Sequence, residues 1–139
     1  MTQAPTETLI RAFFDALNAR DSEAVLELVA EDVVHDTGEG GREIGRERLR
    51  WFLAKRAKHF AEHFADIAVM TSQDSHRAAA EYTLRGSYLK TVEGLPPARG
   101  QSFSLSAGTF FDIDDGLISR VSTCYDLKVL SRQLEAHGG

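Results

Sequence analysis

A histidine and an aspartate stand side by side in the apolar segment Val33-Val34-His35-Asp36, and both side chains can carry protons. Imidazole titrates near neutral pH, whereas a carboxylate transfers protons usefully near neutrality only when burial raises its pKa. Neighbouring residues of a strand point to opposite faces, so only one of the two can enter a pocket. Each also has a structural interpretation, His35 as a packing residue and Asp36 as a cap of the following turn. The sequence leaves open which residue faces the pocket.

Two other sequence patterns contain residues that bind metals or act as nucleophiles in other proteins, but neither predicts a site here. His59-Phe60-Ala61-Glu62-His63 spells the inverted zinc-protease string. In those enzymes a third zinc ligand comes from another helix, whereas this string lies where a basic helix gives way to a strand, so we expect no metal. Cys124 is the single cysteine, which excludes an internal disulfide, and no histidine accompanies it at a nucleophile's spacing. We interpret Cys124 as a small strand residue.

The elements that position these residues follow from the hydrophobic spacing. Helical periods predict a first helix before residue 21, a second short helix capped by Asp21, and a third helix after the glycine-rich loop 37–41. The apolar residues of the first and third helices are Leu9, Ile10, Phe13, Phe14 and Leu17, and Leu49, Phe52, Leu53 and Phe60. The segment 33–36 between the second helix and the loop is predicted to be a short strand.

From about residue 63 the pattern changes to strands. Residues 67–70 and 78–84 predict a hairpin, 103–107 and 117–125 predict further strands, and Leu127, Leu130 and Leu134 predict a closing helix. Helices at the start and strands at the end indicate an α+β fold, in which a cone-shaped, curved antiparallel sheet wraps around the N-terminal helices. Such a sheet leaves a concave, mostly apolar pocket with a few polar groups.

The length, net charge and apolar content of the chain limit the classes of protein to which it can belong. The chain has 139 residues, which fits a single domain spanning 1–139, and a net charge of −5, which weighs against nucleic acid as a partner. No apolar run approaches the roughly 20 residues that cross a bilayer, and no signal peptide is recognisable, so we expect a cytoplasmic protein without a membrane partner. The basic residues gathered at 42–58 are interpreted as the solvated face of the third helix; they are Arg42, Arg46, Arg48, Arg50, Lys55, Arg56 and Lys58.

The order of elements and four residue strings resemble the nuclear transport factor 2-like superfamily, in its SnoaL-like and ketosteroid isomerase-related branch. The strings are Phe13-Phe14-Asp15-Ala16-Leu17-Asn18-Ala19-Arg20-Asp21, Ala30-Glu31-Asp32-Val33-Val34-His35-Asp36, Gly41-Arg42-Glu43-Ile44-Gly45-Arg46-Glu47 and Asp114-Asp115-Gly116-Leu117-Ile118. The resemblance covers nearly the whole chain. It implies a homodimer formed through the sheet and no cofactor.

The resemblance also implies roles for individual residues. In ketosteroid isomerases a strand carboxylate moves the proton, while a tyrosine and a protonated aspartic acid hydrogen-bond the oxyanion. The carboxylate falls on Asp36 if one residue is deleted, with His35 as its competitor, and Phe13 occupies the tyrosine position. The second acid falls on or beside Gly108, so both oxyanion donors are absent and steroid isomerisation itself is not expected. Asp126 resembles a recurrent aspartate of the SnoaL-like cyclases.

Together these observations predict a small, cofactor-independent isomerase or cyclase. It would transfer a proton on an apolar carbonyl compound resembling a steroid or a polyketide. The expected catalytic residues are Asp36, His35 and Asp126. The expected pocket residues are Phe13, Trp51, Tyr82, Tyr88, Phe110 and Tyr125. The alternative is a noncatalytic module of the same fold that binds a hydrophobic ligand or dimerises.

Overall fold

The described part of the chain, residues 4–38 and 40–136 of a computed structural model, contains four helices and six strands. In chain order they are α1 (Ala4–Asn18), α2 (Ser22–Glu27), β1 (Val29–Asp36), β2 (Arg42–Ile44), α3 (Arg46–His59), β3 (Phe60–Thr71), β4 (Arg77–Tyr88), β5 (Ser102–Asp114), β6 (Leu117–Cys124) and α4 (Leu127–Ala136). Across these described ranges, no helix has the length and apolar character needed to span a membrane.

The strands form one sheet in the order β2-β1-β6-β5-β4-β3. All neighbours are antiparallel except β1 and β6, which run parallel. In β3 the register shifts between Ala65 and Ala68, and Asp66 there has a φ of 55°. Such a bulge bends a strand and increases its twist, which curves the sheet around the helices. The predicted α+β class with a curved sheet around the N-terminal helices is confirmed.

The concave face of the sheet packs on aromatic residues of α1. The ring centroids of Phe13 and Phe111 lie 5.4 Å apart, and those of Phe14 and Tyr82 lie 5.2 Å apart. The alternation predicted for β4 is present, because Ala78, Ala80, Tyr82 and Leu84 are all buried. The core therefore lies between α1 and the sheet and fixes the position of the strands that carry polar groups.

Several local boundaries differ from the sequence prediction, and two of them lie next to α3. The segment Arg42–Ile44 forms the edge strand β2, which the sequence analysis treated only as the approach to α3. Phe60 was assigned to α3 but adopts an extended conformation and begins β3. The predicted cap at Asp21 is confirmed, since its carboxylate accepts a hydrogen bond from the Ala24 amide at 3.1 Å.

Candidate functional site

A cavity of about 170 Å³ lies between α1, α3 and the concave face of the sheet. Its walls are largely apolar and include Phe13, Phe52, Phe60 and Phe64. An apolar cavity of about 150 Å³ accommodates a benzene molecule. This space therefore holds about one ring, and the rest of a larger molecule such as a steroid would extend outside it.

His35 projects into this cavity from β1. Its side chain is 4% exposed, and its ring lies edge-to-face with Phe52 at a centroid distance of 4.4 Å. Burial lowers the pKa of His35 below its ordinary value of 6.5, more strongly than the charges of Glu43 and Asp36 raise it. Its Nδ1 atom is buried and has no hydrogen-bond partner among the described residues. Buried polar atoms are nearly always paired, so the packing of the described residues leaves the hydrogen-bonding capacity of this imidazole incomplete. The ring itself lines the cavity, where a ligand can contact it.

Asp36 points to the opposite, convex face of the sheet. Its carboxylate accepts hydrogen bonds from Arg42 Nε at 2.5 Å, Arg42 Nη2 at 3.1 Å and Ser122 Oγ at 2.5 Å. These bonds, chiefly those from Arg42, lower the pKa of Asp36 to about 2. A carboxylate held so firmly in its ionised form is a poor proton acceptor, and it lies outside the cavity wall. The structure thus separates the two candidates that the sequence left in competition.

An ion pair that the sequence analysis missed lies in the cavity wall. Arg56 of α3 donates from Nε and Nη2 to the Glu62 carboxylate, at 2.9 Å in both cases. Their side chains are only 17% and 12% exposed. Burial lowers the pKa of the Arg56 guanidinium, but the hydrogen bonds and charge of Glu62 outweigh it and raise the pKa above its usual value. The cavity therefore contains a permanent cation, and part of its N–H donors remain available to a ligand oxygen.

Tyr125 adds a hydroxyl beside this cation. Arg56 Nη1 donates a hydrogen bond to Tyr125 Oη at 3.3 Å, and the guanidinium carbon lies 5.6 Å from the centroid of the Tyr125 ring. Since the phenol oxygen accepts from Arg56, its own hydrogen can be donated to a ligand. Arg56 and Tyr125 together offer hydrogen-bond donors suited to a developing negative charge on oxygen.

Gly38 lies against the ring of Tyr125. A Cβ atom at position 38 would lie 2.6 Å from Tyr125 Cε1, closer than real Cβ contacts. Gly38→Ala is therefore expected to displace the phenol from its present position. We expect a ligand that accepts a hydrogen bond from Tyr125 to bind about fivefold more weakly, measured by calorimetry, because one hydrogen bond contributes about 1 kcal/mol. Gly108→Ala is the control, since its nearest neighbour would lie 3.4 Å away. Equal affinities in the two variants would contradict this role of Gly38.

A row of hydroxyl groups crosses the concave face of the sheet. Tyr82 Oη and Thr109 Oγ1 lie 2.8 Å apart, and Thr109 Oγ1 and Thr123 Oγ1 lie 3.3 Å apart. Burial raises the pKa of Tyr82, so its phenol stays protonated. All three side chains line the cavity and give it a polar side on an otherwise apolar wall.

Only half of the six residues that were expected to line the pocket do so. Phe13, Tyr82 and Tyr125 line the cavity, whereas the other three expected pocket residues lie elsewhere. Trp51 is 77% exposed on α3 and Phe110 is 50% exposed on the convex face, one position out of phase with the buried Phe111. Tyr88 is fully buried, but its hydroxyl donates to the Pro96 carbonyl and accepts from the Val92 amide, so it fastens the loop after β4.

Asp126, the third expected catalytic residue, is exposed and directly precedes α4. Its carboxylate accepts hydrogen bonds from the Lys128 amide at 2.9 Å and the Val129 amide at 3.3 Å. These are the bonds of a helix cap, which satisfy amide groups that the first turn leaves without partners. Asp126 does not line the cavity.

The sequence did contain signals for the ion pair between Arg56 and Glu62. Arg56 follows Leu49, Phe52 and Leu53 at the spacing of the apolar face of α3. Glu62 stands between Phe60 and Phe64 in the strand alternation, so it faces the same side as those two rings. A charged residue at a position whose periodic neighbours are apolar indicates a buried charge that needs a partner.

A curved sheet around helices, with an apolar cavity that holds a few polar groups, defines an α+β protein of the nuclear transport factor 2-like fold. The chain belongs to the SnoaL-like domain family, which matches residues 10–121. No curated protein matches it.

Three similar crystal structures share the description "putative polyketide cyclase". The one from Xanthomonas campestris pv. campestris is 39% identical, covers 95% of this chain and 98% of its own, and has a TM-score of 0.92. The one from Pseudomonas putida is 44% identical, covers 91% and 95%, and has a TM-score of 0.88. The one from Silicibacter sp. is 44% identical, covers 92% and 93%, and has a TM-score of 0.90. These likenesses support a fold of the cyclase and isomerase type.

Proposed function

We propose that this protein is a cofactor-independent enzyme of the isomerase or cyclase type that moves a proton on the carbon next to a carbonyl group. The observation that carries the proposal is that His35, whose imidazole is neutral because burial lowers its pKa, lines an apolar cavity that also holds the Arg56 guanidinium. A base and a cation enclosed together are the groups that formation of an enolate requires. The similar structures described as polyketide cyclases support the same class of reaction.

The proposed reaction uses only groups of this chain. The neutral imidazole of His35 takes a proton from the carbon next to the carbonyl and becomes imidazolium, while the electron pair of the C–H bond forms the enolate. Arg56 and Tyr125 donate hydrogen bonds to the enolate oxygen. Return of the proton to another carbon completes an isomerisation, and attack of the enolate on a second carbonyl, which then takes the proton, completes a cyclisation.

Exchange of protons for deuterium tests this proposal without knowledge of the final product. We expect the protein to exchange the protons next to the carbonyl of one-ring ketones in deuterium oxide, measured by proton NMR. Because burial lowers the pKa of His35 from 6.5, exchange should persist below pH 6.5 and decline only at more acid pH, as the imidazole takes up a proton. Ketone binding without exchange at any pH would favour a noncatalytic binding module instead.

The same lowered pKa predicts how stability depends on pH. The unfolded chain binds a proton at His35 near pH 6.5, whereas the folded protein binds it only at lower pH. This contribution to the free energy of unfolding is therefore fully present above pH 6.5 and is lost as the pH falls below it. Glu43→Gln removes a charge that raises the pKa of His35, so it should shift to lower pH both the decline of exchange and the acid end of the range over which this stability is lost, measured by proton NMR and by urea denaturation.

We further propose that two copies pair through the convex face of the sheet. Met70 pairs with Ala79 and Ala79 with Phe110 across β3, β4 and β5, and Met70 and Phe110 are 51% and 50% exposed. An apolar row of this kind on an open sheet favours a partner. Phe110→Lys is expected to convert a dimer into a monomer in sedimentation velocity, with Leu127→Lys, an exposed apolar position on α4, as the control. A wild-type monomer would contradict the pairing.

A further inference from the structure

An open groove of about 790 Å³ lies directly outside the cavity, along α3. Phe52, Arg56 and Phe60 line both spaces and form the boundary between them. Since the cavity fits about one ring, the rest of a larger ligand has room to extend past these three side chains into the groove.

Two cations in the wall of this groove have no partner within the described part of the chain. Arg48 and Lys55 are exposed, and neither forms an ion pair or a hydrogen bond with any residue in the ranges described above. Two other cations of the same helix are engaged, since Arg50 pairs with Glu23 and Glu47, and Arg46 donates to the Val29 carbonyl at 2.7 Å. Arg48 and Lys55 are seven residues apart on α3, so they lie on one side of the helix, two turns from each other.

The two acidic residues that line the groove form no ion pair with Arg48 or Lys55. Glu47 pairs with Arg50 instead, at 3.2 Å from Nε. Glu43 lies opposite His35 in the pairing of β1 and β2, which places it at the cavity end of the groove. Two cations on one side of α3, without a carboxylate of the described residues paired to either, favour an anionic occupant.

Trp51 lies between the two cations on the same side of α3 and is 77% exposed. A large indole open to solvent within a groove offers a flat apolar surface to a ligand chain or ring. It is also the only tryptophan of the chain, so its fluorescence reports on the groove alone.

We propose that the ligand is an amphipathic anion, whose ring and carbonyl group occupy the cavity while a negatively charged extension lies along Trp51 and ends at Arg48 and Lys55. This inference rests on the proposed function for the carbonyl end of the ligand. It adds the requirement that the end of the ligand away from the carbonyl group carries a negative charge. The cavity alone does not impose this requirement.

Two probes that differ chiefly in charge, with one additional methyl group on the neutral one, test the inference. Benzoylbutyrate carries a phenyl ketone and a carboxylate on a flexible chain, and its methyl ester is the neutral counterpart. We expect wild-type protein to bind the acid about fivefold or more tightly than the ester, measured by quenching of Trp51 and by calorimetry. Arg48→Gln combined with Lys55→Gln should abolish this preference and leave the Kd of the ester within about twofold. Added salt should weaken the preference.

Lys58→Gln is the matched control, because Lys58 is an exposed cation of the same helix that does not line the groove. It should keep the preference for the acid. Equal binding of acid and ester by the wild type, or loss of the preference in Lys58→Gln, would overturn the inference. Preferential binding of the acid without any proton exchange would support the groove and overturn the proposed reaction. Binding of neither probe would overturn both.

Discussion

Replacement of His35 by glutamine is expected to slow proton exchange by about a hundredfold to ten thousandfold, the usual contribution of a positioned acid or base. Glutamine keeps a polar, uncharged side chain at this buried position but has no nitrogen lone pair that accepts a proton near neutral pH. The exchange rate of a one-ring ketone in deuterium oxide measures the effect. Ligand binding, followed by calorimetry, should be retained, because the apolar walls of the cavity are unchanged.

Asp36→Asn is the companion variant, since it alters the adjacent residue on the opposite face. Its carboxylate bonds Arg42 and Ser122 outside the cavity, so we expect exchange to remain within about twofold of the wild type and stability to fall instead. Exchange that survives in His35→Gln and disappears in Asp36→Asn would reverse the assignment of the base.

Arg56→Met is expected to lower the free energy of unfolding by about 3–5 kcal/mol, because it leaves the Glu62 carboxylate buried without a partner. The Glu62 side chain is only 12% exposed, so water does little to compensate the lost guanidinium. Urea denaturation measures this loss. We also expect exchange to fall by about a hundredfold to a thousandfold, the usual effect of removing a donor to a developing oxyanion.

The double variant Arg56→Met, Glu62→Gln separates stability from chemistry. It removes the uncompensated charge, so most of the stability should return, while exchange should remain slow. The pair formed by Arg11 and Glu7 is the control, since it has the same 2.9 Å separation but is 49% and 48% exposed. Arg11→Met should cost less than about 1 kcal/mol. Recovery of exchange in the double variant would exclude Arg56 from the reaction.

Much of the fold could be predicted from the sequence, because many helices and strands are determined by residue patterns within a short segment. The alternation from Ala78 to Leu84 and the cap at Asp21 depend on contacts within one element or with its nearest neighbour. The parallel pairing of β1 with β6 and the edge strand β2 depend on long-range register. A segment of three residues such as Arg42–Ile44 carries too little pattern to predict its pairing.

The residues of the site were harder to predict than the fold. A charged residue is usually expected to be exposed, and a shift of one residue changes the side of a helix or strand on which a side chain lies. Arg56 was interpreted as part of a solvated basic face, although its apolar neighbours at helical spacing place it inside. Trp51 precedes Phe52 by one residue, which rotates it about 100° around the helix and into solvent. The sequence could not show which of His35 and Asp36 faces the cavity. Alternation along a strand shows that the two side chains lie on opposite faces of the sheet, but it does not show which face lines the cavity.

The row of Tyr82, Thr109 and Thr123 gives the cavity a property that its other groups lack. Each hydroxyl can be donor or acceptor towards the next, so the hydrogen bonds of the whole row can reverse direction together. In one direction the row presents a hydrogen to the cavity, and in the other it presents a lone pair. The same wall can therefore pair with either a carbonyl oxygen or a hydroxyl group of a ligand, so that a ligand of either kind is not left with an unpaired group there.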